Sequence, residues 1–214
     1  MSTRGKFFTF EGPEGCGKST QIRLLADRLL AEGVETVVAR EPGGTPTGEL
    51  IREILQHDKT GEAISPRAEV LLFNASRAQL VDHLILPALE RGACVLCDRF
   101  MDSTTAYQGF GRAFDLETVL AINAFAVGRA VPDATFLLDL DAEAGLKRIR
   151  ARYEAGGAMD RIERERLAFH ESVRRGYLEL ARRWPDRFHV IRAEDAIDAI
   201  HQTVWKKVCH VLGR

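Results

Sequence analysis

Cysteine is scarce in this 214-residue chain, with four copies at positions 16, 94, 97 and 209. So few cannot build a disulfide framework. Cys94 and Cys97 form the one C-x-x-C pair, and no second pair exists to complete a zinc site. They lie in Ala93-Cys94-Val95-Leu96-Cys97, which reads as a buried strand, and residues three apart on a strand point to opposite faces. Both are therefore expected to be small core side chains. Neither sign of charge is in excess: 30 Lys and Arg against 31 Asp and Glu leave a net −1. That balance argues against nucleic acid or an anionic membrane as partner. No apolar run approaches a membrane span, and the few apolar residues after Lys6 are too short for a signal-peptide core. Repeats, low-complexity tracts and proline-rich linkers are also missing. The expectation is one soluble, cytoplasmic domain over 1–214, with a 45% hydrophobic content ordinary for a folded core.

What is present is a glycine loop in a telling context. Gly12-Pro13-Glu14-Gly15-Cys16-Gly17-Lys18-Ser19-Thr20 reads G-x-x-x-x-G-K-S-T, the pattern of a phosphate-binding P-loop. Phe7 to Phe10 before it reads as a buried strand. After it Ile22, Leu25, Ala26, Leu29 and Leu30 recur at helical spacing, and Gly33 marks a helix stop. Glycines let successive backbone N–H groups converge on one anion, and the following helix adds its positive dipole end. Lys18 is expected on the β- and γ-phosphates of ATP and the Ser19 hydroxyl in a Mg2+ shell. Cys16, inside the loop, is expected to be within reach of solvent.

Strand-like and helix-like runs alternate along the whole chain. Strands are expected at 7–11, Glu35–Ala39, Ala93–Cys97, Ala134–Leu140 and Phe188–Arg192. Helices are expected over Arg67–Arg91, Leu116–Gly128, Ala142–Arg152, Glu163–Trp184 and Ala196–Leu212. Five short apolar strands separated by helices predict an α/β fold in three layers, with a parallel sheet covered on both faces. Tyr153 to Met159, with Gly156-Gly157, interrupts a basic helical pattern and reads as a mobile lid at about 148–163.

A P-loop alone leaves GTPases, motor ATPases and small-molecule kinases open, but no N-K-x-D or D-x-x-G element follows at GTPase spacing. Instead Arg40-Glu41-Pro42-Gly43-Gly44-Thr45 closes the second strand. Asp98-Arg99 closes the third, ahead of Ser103-Thr104-Thr105-Ala106-Tyr107-Gln108. Open α/β sheets place ligands at the carboxyl ends of their strands. Arginines, hydroxyls and a glutamine gathered there look like a receptor for a second, phosphorylated substrate.

With Phe73, Arg77 and a basic segment ending Asp160-Arg161-Ile162-Glu163 added, the chain closely resembles the thymidylate kinases over essentially its whole length. Those enzymes move the γ-phosphate of ATP to dTMP. The resemblance, to the bacterial type with a lid arginine, implies the P-loop nucleoside-monophosphate kinase fold, ATP, Mg2+, dTMP and a homodimer. It implies that Arg99, helped by Arg52, clamps the dTMP phosphate, and that Asp98 acts through the metal shell or polarises the acceptor. Glu14 would face the sugar 3′-hydroxyl and Tyr107 the position of a ribose 2′-hydroxyl. Thr104 and Gln108 would face the base, with Glu41 and Pro42 on the acceptor side. Phe73 and Arg77, four apart on one helix, share a face, so a ring can stack on a base while the guanidinium donates to its edge. Arginine only donates, which suits the O4 of thymine and not the amino group of cytosine. This P-loop has no arginine of its own, so the cation for the transferred group is expected from the lid: Arg152 first, then Arg161, with Arg148 against the adenine. Another nucleoside-monophosphate or deoxynucleoside kinase, or a non-catalytic P-loop regulator, are the competing readings.

Overall fold

Phe7, Phe8 and Phe10 have no solvent exposure, and that sealed strand sets the frame for the rest. The structure, a computed structural model, describes residues 4–57, 61–154 and 159–214, apart from the side chain of Arg152. β1 (Phe7–Glu11), β2 (Thr36–Arg40), β3 (Cys94–Asp98), β4 (Ala134–Asp139) and β5 (Phe188–Arg192) pair in parallel in the order β2-β3-β1-β4-β5. β1 and β5 have the expected bounds. β2 and β3 each lie one residue further along, because their register runs on to pair Arg40 with Asp98. Phe8 and Phe10 join the core against α1 (Lys18–Ala31) and α9 (Ile197–Leu212). Phe7 joins Val95 and Leu80 in the core on the other face. Cys94 falls in the first core and Cys97 in the second, as the alternation of a strand requires, and the cysteines are free.

The helices depart from expectation where capping and proline chemistry overrule periodicity. α2 (Pro46–Gln56) is unannounced by the apolar pattern. It starts because the Thr45 hydroxyl accepts from Gly48 N at 3.0 Å and Pro46 follows the cap, a position it suits. The run expected over 67–91 is α3 (Pro66–Leu80) and α4 (Leu86–Glu90), joined by a π-helical stretch over Val81–Ile85. Pro87 has no N–H to give the preceding turn, which is wound more loosely there. α5 (Met101–Thr104) likewise runs into a π-helical stretch, Thr105–Gly111. α6 (Leu116–Val127) and α7 (Ala142–Glu154) follow expectation closely. α8 (Leu167–Arg183) begins four residues later than expected, since Asp160 Oδ1 accepts from Ile162 N and Glu163 N, both at 2.8 Å, and turns the chain first. The expected lid therefore comprises the end of α7 and this turn, and its tip, 155–158, lies outside the described residues.

The odd-numbered side chains of β1 carry polar groups into the interior beside Phe7. Thr9 Oγ1 lies 2.8 Å from Thr135 Oγ1, to which Arg187 also donates while it pairs with Asp102 at 2.5 and 2.9 Å. Glu11, fully buried, accepts from Phe100 N at 2.8 Å, Ser103 Oγ at 2.7 Å and Tyr177 Oη at 2.9 Å. Burial and then the Asp102 charge push its carboxyl from 4.5 up to about 7, against the pull of Ser103, Arg99 and Tyr177. The native state then holds this proton more tightly than the unfolded chain does. Glu11's contribution is fully present below pH 4.5 and declines as pH climbs to about 7. Glu11→Gln cannot ionise, so its melting temperature relative to the parent should rise by several °C between pH 5 and pH 8, for a difference on the order of 2–3 kcal/mol. Calorimetric scans across that range check it, and a difference that stays constant with pH would refute the assignment.

Candidate active site

Close backbone approach shapes the glycine loop. Gly12 has φ 138°, and a Cβ there would lie 2.4 Å from Leu138 O. Gly15 meets Gly145 of α7 so closely that a Cβ on either would strike the other segment's backbone, at 2.7 and 2.5 Å. α7 is thus seated directly on the loop, which brings Arg148 Nη1 to 3.3 Å from Gly15 O. The loop ends at Gly17, and α1 opens its free N–H groups toward it. Lys18 lies back across the loop, donating to Gly12 O at 3.3 Å and Pro13 O at 3.0 Å, with Cys16 Sγ at 3.5 Å. Cys16 is consequently 2% exposed, a correction to the reachable thiol expected, and burial raises its pKa.

Arg99 is the centre of the second constellation. Its backbone is left-handed (φ 68°), a conformation that costs a residue with a side chain on the order of 1–3 kcal/mol and clusters at functional sites. Its N–H donates to Phe10 O at 3.0 Å, tying the end of β3 to β1. Nη1 donates to Gly12 O, Ser103 Oγ and Tyr177 Oη at 3.1–3.2 Å, while Nη2 donates to Tyr107 Oη at 3.1 Å and pairs with Glu14. Burial alone would raise the Glu14 carboxyl, but Arg99, Lys18 and the Tyr107 hydroxyl carry it down to about 2. Ser19 Oγ donates to Asp98 Oδ2 at 2.6 Å, so the two expected metal-shell oxygens stand side by side. Among the described residues no cluster of three or more His, Cys, Asp or Glu could cage an ion. Two protein oxygens suit Mg2+, which keeps several waters and takes phosphate oxygens for the rest.

One cavity of about 670 Å3 joins these two constellations. Lys18 and Ser19 line it, and so do Arg99, Tyr107, Phe73, Thr104 and Gln108. Pro42, Arg52 and Arg148 reach it as well, with Arg52 Nη1 donating to Pro42 O at 2.9 Å. Arg77 touches the cavity but is 1% exposed, and all five of its N–H donors go to protein. Nε and Nη2 bind Glu41, Nη1 takes Asn74 and Asn123, and Nη2 also reaches Phe100 O and Thr104 Oγ1 at 3.0–3.1 Å. The guanidinium expected at a base edge thus lines the cavity with its protons paired to Glu41 and the side chains around it, because a buried cation demands acceptors. Glu41 is likewise occupied by Arg77.

Arg161, the second lid candidate, is not on the cavity wall: it pairs with Glu69 and donates to Leu55 O at 3.3 Å. The side chain of Arg152, the first candidate, lies outside the described residues. Arg40 is bound by Glu49 at 2.8 and 2.9 Å. Sequence reasoning missed Glu11, Glu69 and Tyr177. Glu69 had a legible signal, since 69, 73 and 77 recur every four residues and share one face of α3. Glu11 had one too, as a lone acid ending an otherwise apolar strand. Tyr177 lies in a helix remote in sequence and had none.

The site therefore pairs a phosphate loop with a second pocket that ends on an aromatic ring, a hydroxyl and an amide. Comparison with known proteins points the same way. The family model described as thymidylate kinase matches residues 10–204. Relatives named thymidylate kinase include one from Geobacter sp. (strain M21), 53% identical over 87% of this chain and 84% of its own length. Another, from Caulobacter vibrioides, is 50% identical over 99% of both chains. A third, from Syntrophotalea carbinolica, is 45% identical over 97% of this chain and 96% of its own. A match so nearly end to end, on a chain whose loop, Asp98-Arg99 turn and acceptor pocket share one cavity, establishes that it belongs to the thymidylate kinase family.

Proposed function

We propose that this chain transfers the γ-phosphoryl group of MgATP to dTMP, giving dTDP and ADP. The observation that carries the reading is the single cavity shared by the P-loop and the pocket of Arg99, Phe73 and Gln108, since phosphoryl transfer needs donor and acceptor in line. Lys18 exchanges the carbonyls of Gly12 and Pro13 for phosphate oxygens when ATP enters. Arg99 exchanges Glu14 for the dTMP phosphate, a fork-to-oxyanion match that a guanidinium makes well. The displaced Glu14 carboxylate then becomes available to the sugar 3′-hydroxyl. Ser19 and Asp98 would hold Mg2+, which when bound would supply charge neutralisation on the transferred group. Proton removal from a phosphate acceptor is undemanding, so these residues work by position and charge.

The catalytic cation from the lid is assigned to Arg152, four residues beyond Arg148 on α7, the helix seated on the glycine loop. A homodimer is supported by exposed apolar side chains on three helices: Leu50 and Ile54 on α2, Leu71 on α3 and Phe125 on α6, the last 91% exposed. α3 packs against both α2 and α6, so the three helices that carry them are neighbours. No helix among the described residues is long and apolar enough to cross a membrane. Free thiols support a cytoplasmic setting.

Steady-state rates with dTMP, dUMP, dCMP and thymidine at fixed MgATP test the reaction. dTMP should lead dCMP in kcat/KM by at least about tenfold, and a preference for dCMP or thymidine would overturn the reading. Arg152→Ala should lower kcat by about 100-fold or more while both KM values change little, because the charge it meets forms in the transition state. Loss expressed only in KM would remove it from that role. Phe125→Glu should convert a dimer to monomer in sedimentation equilibrium. An unchanged mass would count against α6 as the interface.

A further inference from the structure

The acceptor pocket ends on two neutral groups whose hydrogen-bond polarity is dictated from behind. Gln108 Nε2 donates to Glu69 Oε1 at 2.8 Å, and Glu69 is 1% exposed. Arg161 and Arg112 also donate to that carboxylate. A carboxylate that takes hydrogen bonds from two guanidinium groups presents its lone pairs, so the amide of Gln108 must turn its NH2 toward it. Gln108 Oε1 has no protein partner among the described residues. It is also not among the sealed, unpartnered atoms, which are Gln21 Oε1, His170 Nε2, His189 Nε2 and His201 Nδ1. As Gln108 lines the cavity, that oxygen opens onto it. Four residues earlier on the same helical face, Thr104 Oγ1 accepts from Arg77 at 3.0 Å, which directs its proton away from the guanidinium. The wall thus offers a hydroxyl donor next to an amide acceptor.

We infer that Glu69 is a positioning residue for acceptor specificity: it locks the Gln108 amide with its oxygen facing the ligand, so the pocket accepts a base edge that carries an imide N–H. This inference rests on the dTMP reading above and deepens it. Thymine and uracil present a carbonyl beside N3–H, which complements Thr104 and Gln108. Cytosine presents an amino group beside a bare N3, so its N3 meets the Gln108 oxygen, acceptor against acceptor. Arg77, which suits O4 by type, also fixes the Thr104 hydroxyl from behind. The neutral pair reads the base, and the buried charges behind it decide which way each neutral group points.

Glu69→Gln removes the dictation, because an amide at 69 donates as readily as it accepts and lets Gln108 turn over. The readout is the ratio of kcat/KM for dTMP to that for dCMP within one preparation, in which the active fraction cancels, so partial misfolding does not distort it. In Glu69→Gln this ratio should fall about tenfold or more, while the dTMP to dUMP ratio and the KM for ATP hold. Arg112→Ala, which leaves the Glu69–Gln108 bond in place, should keep the parent ratio. Gln108→Leu should also lower the ratio, and adding Glu69→Gln to it should lower it no further. A parent ratio near one would overturn the dTMP reading and this inference with it. A ratio that collapses in Gln108→Leu but stays at the parent value in Glu69→Gln would overturn the positioning role alone. So would an equal fall in Arg112→Ala, which would mark a general disturbance of the cluster.

Discussion

Arg99 is gripped by the first turn of the glycine loop, and the geometry of the catalytic edge depends on that grip. Gly12 O and Glu14 hold the guanidinium from the loop itself, while Glu11, the residue before the loop, holds it through Ser103 and Tyr177. Ser103 Oγ and Tyr177 Oη both lie within 2.9 Å of Glu11 Oε2, so their protons can go to the carboxylate and their lone pairs face Arg99 Nη1. A backbone kept in the left-handed region at Arg99 needs this many constraints to persist. The arrangement also couples the two substrates. A phosphate reaching Arg99 displaces a carboxylate that belongs to the ATP loop, so occupation of one half of the cavity changes the charge balance in the other.

Few of the arginines that make the sequence look like an anion receptor are free to act as one. Arg77 serves Glu41, Arg161 serves Glu69, Arg187 serves Asp102 and Arg174 serves Asp139. Buried charge has to be paired, and pairing uses up the donors that would bind a ligand. What a ligand then meets is the residue whose partner is easiest to replace. Arg99 qualifies, because its pair with Glu14 is partly open to the cavity, with side-chain exposures of 15% and 23%. The Arg77 pair is closed, at 1% and 4%.

That distinction explains what was legible in the sequence. β1, the P-loop and α1 could be read because each local rule agrees: an apolar alternation, glycines at tight turns, then helical spacing. The separation of Cys94 from Cys97 followed from strand geometry alone. Membership of the cavity was legible for Phe73, Arg99, Thr104, Tyr107 and Gln108, since strand ends and a shared helix face place them. The commitments of side chains were not legible. Nothing in a list of residues says that Glu41, just past β2, would close on Arg77 of α3, or that Asp160 would delay α8 by a turn. Those outcomes depend on which partners tertiary packing brings within 3 Å.

Neutral readers backed by committed charges also fit the energetics of discrimination better than a charged reader would. A guanidinium reader offers donors only, so it has no acceptor for the N3–H of thymine. An amide or hydroxyl whose other side is already bonded cannot turn without breaking that bond, and a mismatch leaves a buried acceptor facing another acceptor. The penalty for such an unmade bond, about 1–3 kcal/mol, is larger than the net gain from a matched one. In this pocket Glu69 and Arg77 contribute to selectivity by removing alternatives from Gln108 and Thr104. Their buried ion pairs cost desolvation, so the selectivity is held at a cost in stability that the rest of the fold offsets.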